Sequence, residues 1–399
     1  MYKKAFIIVA LVSFCFQCVI IPTNAEQTSS NIPNYSEPYL NLKNIYGKNE
    51  EDILNEIRTL EVKISDKNYI AKLYIGLAEI NARKQDYSRA RDYLKPALKL
   101  LIDDKNADQI VLTTLFIHLG EYSYKLGDVR MAIAGYAGTI EKFEKANNLK
   151  NNSMAFNAIY NLAEIFKQQH EYSKAKEYYN LLIKTQEGYN PDYDISMSMA
   201  FYSLGYIYQK EGDYQKALQY YDNCNRGIVY YKHTEEPEAK ELMCHSYKGL
   251  GDILILKNNP VEAIKSLKLS LNLSNNNDKE ILSDIYNRLG SAYYKQEDYK
   301  NAKNYYEQAI KIYDEYYNPS INKQNKEYQN KLRKNFPRHA KYLGNIIIVP
   351  DDKVFEAYKN LIDIYKKTHS KNINKLESDL NAYEKAYSQN FRDFMQKSN

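Results

Sequence analysis

Residues 201–224 read FYSLGYIYQKEGDYQKALQYYDNC, and this stretch decides the fold class. Large apolar residues and one glycine follow at spacings of three and four, the period of a single helix face: Phe201, Leu204, Gly205 and Tyr208. The period then breaks at Gly212, which permits a positive φ just past a helix end, and Asp213, which can cap the next helix. It resumes at Ala217, Tyr221 and Cys224. The stretch therefore predicts two helices joined by a tight turn.

The same spacing recurs five more times along the chain. Each unit has a leucine followed by glycine or alanine, an alanine twelve residues later, and a tyrosine or leucine four residues after that. The further units are marked by Leu77 and Ala90, Leu119 and Ala132, Leu162 and Ala175, Leu250 and Ala263, and Leu289 and Ala302. Because an isolated helix pair leaves one flank of each helix in water, the pattern predicts pairs stacked on one another.

This pattern resembles the tetratricopeptide repeat family, whose repeat runs aromatic, Leu-Gly, Tyr, Ala, aromatic. Aromatic residues stand three before the leucine at Phe116, Phe201, Tyr247 and Tyr286. Tyrosines stand three before the key alanine at Tyr87, Tyr172, Tyr214 and Tyr299. The resemblance implies an all-α fold, an α-solenoid in which helix-turn-helix repeats wind into a right-handed superhelix.

The repeat is longer than the common one. Successive key alanines lie 42, 43, 42, 46 and 39 residues apart, whereas the common period is about 34. This length is similar to that of kinesin-light-chain-type proteins and of bacterial peptide-sensing regulators. We expect the additional two turns or so to lengthen the second helix and widen the groove.

The N-terminus predicts export. Residues 1–25 combine Lys3-Lys4, an apolar run over 5–21 and small residues at Thr23 and Ala25, as in a signal peptide cleaved before Glu26. The alternative is an uncleaved segment, in which residues 5–21 anchor the chain in a membrane. The expected localisation is thus periplasmic or secreted, or else membrane-anchored. Cleavage leaves 53 basic against 50 acidic residues, a balance that argues against a nucleic-acid partner.

The remaining boundaries follow from where the repeat pattern starts and stops. The prediction is a polar lead-in over 26–50, an N-terminal cap helix over 51–68, six repeats over 69–315, an irregular insertion over 316–352, and a degenerate repeat with a capping helix over 353–399. Within the insertion, the β-branched run of 344–350 is the only segment that favours extended structure.

Motifs that carry chemistry are missing from the sequence. The six histidines show no HExxH pattern, the chain after residue 25 has no CxxC, and no glycine-rich phosphate loop or nucleophile elbow occurs. We therefore expect no enzyme, no cofactor and no metal site. Cys224 and Cys244 flank a turn near residue 234 at equal distances, so a disulfide between them is one possibility and two reduced buried thiols the other.

The family resemblance places partner binding in the concave groove, on first-helix residues two before, two after and five after each leucine. In this chain they include Tyr160, Glu164, Tyr202, Tyr206, Gln209, Lys248, Asp252, Asn287 and Tyr294. Acids recur at the second of these positions, at Glu79, Glu121, Glu164 and Asp252, either as solvated charge or to meet a basic partner. The expected function is an exported scaffold that binds a peptide or protein without catalysis. The alternative is a membrane-tethered sensor or assembly subunit of a larger complex.

Overall fold

The computed structural model describes residues 45, 47–62, 66–145, 152–186, 195–230, 233–275, 277–317, 352–368 and 373–381. The predicted signal peptide, the lead-in up to residue 44, residues 318–351 of the insertion and the chain after residue 381 lie outside this part. Signal cleavage and the extended run at 344–350 therefore stay predictions.

Within the described part of the chain, every regular element is a helix, as the sequence predicted. Helices α1 to α14 span Glu50–Val62, Lys67–Arg83, Tyr87–Leu101, Gln109–Lys125, Val129–Lys145, Ser153–Gln168, Tyr172–Gln186, Ser196–Glu211, Tyr214–Tyr230, Pro237–Leu256, Pro260–Leu273, Lys279–Lys295, Tyr299–Tyr317 and Asp352–Lys367. A further helical run covers 373–381.

The helices form two compact units, which divide after Gln169. Unit 1 contains α1 to α6, and unit 2 contains α7 to α14 with the run at 373–381. In each unit, consecutive helices pack as pairs, and the first helix of one pair also contacts the first helix of the next. Each unit is therefore a stack of helix pairs, which is the α-solenoid arrangement.

The turn between α8 and α9 forms as the sequence predicted. Helix α8 ends at Glu211, and Gly212 adopts the left-handed conformation with φ of 81°. Asp213 then accepts a hydrogen bond from the backbone N–H of Lys216 at 3.2 Å, which caps the start of α9. Ala217 is completely buried at the crossing of the two helices.

The glycine of the Leu-Gly pair and the tyrosine of the second helix fit together. A Cβ atom on Gly205 would lie 2.8 Å from the ring of Tyr221, closer than side-chain atoms pack. Gly290 meets Tyr306 in the same way, at 2.7 Å. Since these rings are almost fully buried, the tyrosines at this position serve packing, with the glycine leaving room for the ring.

The two helices of a pair have similar lengths, and a second helix longer than that of the common repeat stays a prediction. First helices begin at residues 67, 109, 153, 196, 237 and 279 and have 16 to 20 residues. Second helices have 14 to 19 residues. The longest first helix, α10, is followed by the shortest second helix, α11, because the two share one repeat length.

Further helices cover the first pair of unit 1 and the last pair of unit 2. In unit 1, helix α1 buries Ile53 and Ile57 in the core that it shares with α2. In unit 2, α14 contacts α12 and α13 and buries Tyr358 and Leu361, so it occupies the place of a seventh first helix. Leu380 of the run at 373–381 packs into the same core. These helices remove apolar surface that the terminal pairs would otherwise expose.

Candidate functional site: the first-helix face of unit 2

Most of the predicted groove residues lie on the contacting first helices α8, α10 and α12. Together with three neighbours they define the first-helix face: Tyr202, Tyr206, Gln209, His245, Lys248, Asp252, Asp284, Asn287 and Arg288. Tyr202, Tyr206, Lys248 and Asp252 are each half-buried, whereas Asn287 is only 4% exposed. The sequence therefore placed these residues on one surface of unit 2, although Asn287 lies beneath it.

Four charged residues connect α10 to α12. Lys248 Nζ donates to Asp284 Oδ2 at 2.7 Å, and Arg288 Nε lies 2.9 Å from Asp252 Oδ1 and 3.4 Å from Asp284 Oδ1. We call Lys248, Asp252, Asp284 and Arg288 the charge ladder. Its formal charges cancel, and the Asp284 side chain is 5% exposed. Such a ladder fixes the register of two helices, since a slip by one residue would separate every pair.

Sequence reasoning found one half of the charge ladder and missed the other. Lys248 and Asp252 were expected, while Asp284 and Arg288 were not. The signal was present, because both pairs are four residues apart and the order of charges is reversed on the second helix. Two parallel neighbouring helix faces with opposite charge order can pair side by side.

The other part of the face, on α8 and α10, is aromatic. The Tyr202 ring lies 5.8 Å from the ring of Tyr221 and 6.2 Å from that of His245. Tyr221 donates its hydroxyl hydrogen to Gln209 Oε1 at 2.7 Å, so that amide is held against the second helix. Burial, and then the charge of Lys248, lower the pKa of His245 to about 4. His245 is therefore neutral at pH 7.

Tyr294 connects the first helix α12 to α14. Its hydroxyl hydrogen-bonds with the carboxylate of Asp363, and Lys367 Nζ donates to it at 2.7 Å. The ammonium of Lys367 also lies 4.7 Å from the centre of the Tyr294 ring. Since Asp363 and Lys367 belong to α14, Tyr294 holds the last first helix in place.

The remaining two predicted groove residues, Tyr160 and Glu164, belong to α6 of unit 1. Tyr160 is half-buried, and Glu164 accepts a hydrogen bond from Lys167 Nζ at 2.6 Å. Both side chains of that ion pair are less than a fifth exposed. The pair lies along one helix.

The recurring acids are not solvated charges, contrary to one sequence interpretation. Glu79 is 6% exposed and its Oε1 lies 3.1 Å from His118 Nε2, while Glu121 Oε2 lies 3.3 Å from His118 Nδ1. Asp252 pairs with Arg288 in the charge ladder. Glu79 and Asp252 thus make the same kind of contact: each carboxylate pairs with the basic side chain that directly precedes the leucine of the next repeat. A basic partner is not needed to balance these acids.

His118 with Glu79 and Glu121, which we call the buried triad, joins α2 to α4 in unit 1. Its ring stacks on Tyr122 with centres 5.4 Å apart. Burial alone would lower the pKa of His118, but the hydrogen bonds and charges of Glu121 and Glu79 outweigh it and raise the pKa to about 9. The imidazolium is therefore the stable form at neutral pH. Sequence reasoning passed over His118 because its main partner is 39 residues away.

Cys224 and Cys244 are both free and buried, so the proposed disulfide between them is wrong. Cys244 Sγ is turned toward α11 of its own repeat, where it lies 3.3 Å from the carbonyl oxygen of Ser270. Burial raises the pKa of the Cys224 thiol to about 12. The two residues act as small apolar groups in separate parts of the core.

The His, Cys, Asp and Glu side chains of the described residues form no group of three or more that could hold a metal ion. None of their helices is both long enough and apolar enough to cross a membrane.

Three separate segments match the tetratricopeptide repeat family, namely residues 156–189, 200–224 and 241–315. They fall on four of the six predicted repeats and agree with the stacked helix pairs. The chain is a tetratricopeptide-repeat protein. The assignment of its repeats to the longer type of about 42 residues, as in kinesin-light-chain-type proteins, stays a prediction. No curated protein matches its sequence.

Solved structures show similarity in fold alone. The apo form of the quorum sensor NprR from B. thuringiensis has a TM-score of 0.50 and 14% identity, covering 89% of this chain and 99% of that one. The apo form of RapI has a TM-score of 0.47 and 14% identity, covering 79% and 87%. A TPR repeat-containing protein from Cytophaga hutchinsonii has a TM-score of 0.43 and 17% identity, covering 75% and 97%.

Proposed function

We propose that this tetratricopeptide-repeat protein is an exported scaffold, without catalysis, that binds a peptide or protein partner on the first-helix face of unit 2. The observation that carries the proposal is the aromatic part of that face, where the half-buried Tyr202 and Tyr206 lie on the same face as the charge ladder. A tyrosine combines a flat apolar ring with a hydroxyl that can hydrogen-bond, and such residues contribute much of the binding energy in protein interfaces.

The rest of the face supports the proposal by being rigid. Tyr202 packs on Tyr221, and the charge ladder fixes α10 against α12. A surface that is ordered before binding loses little entropy when a partner arrives.

The binding test uses the full mature chain as bait for a displayed library of random 12-residue peptides. Affinities of recovered peptides are then measured by fluorescence polarisation for the parent chain, for Tyr202→Ala and for Tyr206→Ala. We expect each substitution to weaken binding at least tenfold. Tyr230→Ala is the matched control, because Tyr230 is 77% exposed at the end of α9 and lies outside the face. Recovered peptides that bind all four proteins equally would disprove the assigned site.

Export is tested separately by N-terminal sequencing of the native protein. A chain that starts at Glu26 supports an exported scaffold. A chain that retains residues 5–21 supports the alternative of a membrane-tethered sensor or assembly subunit.

A further inference from the structure

We infer that the partner segment held by the first-helix face is uncharged, with an aromatic or aliphatic side chain lying against Tyr202. This inference rests on the proposed function and narrows the class of partner that the site accepts.

The charge ladder is paired within the fold. Each member of the charge ladder lies within 3.0 Å of an oppositely charged member, and the four formal charges sum to zero. The ladder itself therefore offers a charged partner residue no net charge of opposite sign.

A charged partner would compete with members of the charge ladder. A lysine of the partner would compete with Lys248 and Arg288 for Asp284, and a carboxylate at Arg288 Nε would compete with Asp252 and Asp284. Because the Asp284 side chain is 5% exposed and those of Lys248 and Arg288 are 20% and 25% exposed, the displaced charge would stay partly buried and unpaired. Breaking a buried pair in this way is strongly unfavourable.

The aromatic part of the face offers neutral rings instead. Tyr202 is half-buried, and the ring of His245 is neutral and lies 6.2 Å from that of Tyr202. The charged groups around His245 include Lys248, Asp278, Asp284 and Glu241, whose Oε1 is 3.9 Å from His245 Nε2. Lys210 Nζ lies 5.3 Å from the centre of the Tyr206 ring. Neutral rings stack on apolar or aromatic side chains and hydrogen-bond to backbone or amide groups. The chemistry that fits is a segment rich in Tyr, Phe, Leu, Ser, Thr, Asn, Gln or Gly.

The experiment compares two displayed libraries of 12-residue peptides, selected on the full mature chain under the same conditions. One contains only uncharged residues, and the other has Lys, Arg, Asp or Glu at every second position. Peptides recovered from each are measured by fluorescence polarisation at about 50 and about 500 mM NaCl, where exposed charges are screened to different extents. The parent, Tyr202→Ala and the control Tyr230→Ala are compared.

We expect binders from the uncharged library whose affinity changes less than about twofold between the two salt concentrations. Their binding falls at least tenfold in Tyr202→Ala and is unchanged in Tyr230→Ala. If the Tyr202-dependent binders come from the charged library and weaken about tenfold or more in high salt, the face takes charged partners, so the inference is wrong while the proposed function stands. If neither library yields a binder that depends on Tyr202, both fail.

Discussion

Replacement of His118 by glutamine tests the buried triad most directly. Glutamine keeps one hydrogen-bond donor but removes the positive charge, so two carboxylates that are 7% and 13% exposed would face each other without a cation. Breaking a buried charge pair by removing one partner costs about 3–5 kcal/mol. The rise of the His118 pKa from 6.5 to about 9 gives a similar figure, about 3–4 kcal/mol at roughly 1.4 kcal/mol per pKa unit.

The pH dependence has a definite sign. Because the pKa of His118 is higher in the folded protein than in the unfolded chain, its contribution is fully present below about pH 6.5 and is lost as the pH rises through about 9. The parent protein should therefore lose stability over this range, and His118→Gln should lose much less. Amide hydrogen exchange of α4 between pH 6 and 9.5 measures the local opening free energy after correction for the intrinsic exchange rate.

The control removes all charges of the triad together. We expect a triple variant to destabilise α4 less than His118→Gln alone, since no unpaired charge remains buried. It combines Glu79→Leu, His118→Leu and Glu121→Leu. Equal protection of α4 in the parent and in His118→Gln at pH 7 would refute the reasoning. Protection that increases from pH 6.5 to 9 in the parent would refute it as well.

Three further predictions follow from the packing. Gly135→Ala places a Cβ 2.4 Å from the backbone nitrogen of Gly120, so the free energy of unfolding from thermal denaturation should fall by at least about 1–3 kcal/mol. In the control Gly138→Ala, the new Cβ meets only the movable Phe116 ring, and the loss of stability should be smaller. In the charge ladder, Asp252→Arg and Arg288→Asp should each destabilise unit 2. The double swap should recover about 0.5–3 kcal/mol of unfolding free energy in a double-mutant cycle measured by urea denaturation. Strictly additive effects of the two substitutions would contradict the pairing. Neither Cys224 nor Cys244 should react with iodoacetamide in native protein at pH 8, and both should react after denaturation. A disulfide between them in non-reducing mass spectrometry would contradict the free thiols.

The sequence predicted the helix pairs because their determinants are local. Gly212 and Asp213 fix a turn through backbone conformation and capping, and Gly205 with Tyr221 fixes a crossing within one repeat. These features lie within about sixteen residues of one another. Over such a distance the recurrence of apolar residues every three or four positions can be read directly from the sequence.

The site was harder to predict because its partners come from neighbouring repeats. Arg288 meets Asp252 across two helices, and His118 meets Glu79 across 39 residues. The same limit explains Tyr294, whose contact with Lys367 spans a stretch of irregular sequence. Cys244 turns toward Ser270 because of a side-chain orientation that residue spacing does not determine.

Helices α13 and α14 run in opposite directions, because Lys367 near the end of α14 lies 5.3 Å from the ring centre of Tyr299 at the start of α13, whereas Asn360, seven residues earlier, donates a hydrogen bond to Tyr306 at 2.9 Å. The end of one and the start of the other therefore lie at the same end of the pair, although 34 residues separate Tyr317 from Asp352. The turn between α9 and α10 makes the same crossing with six residues. A foreign domain could consequently be inserted between Tyr317 and Asp352. It would project from the end of the helix pair, and the packing of α13 against α14 would be unchanged.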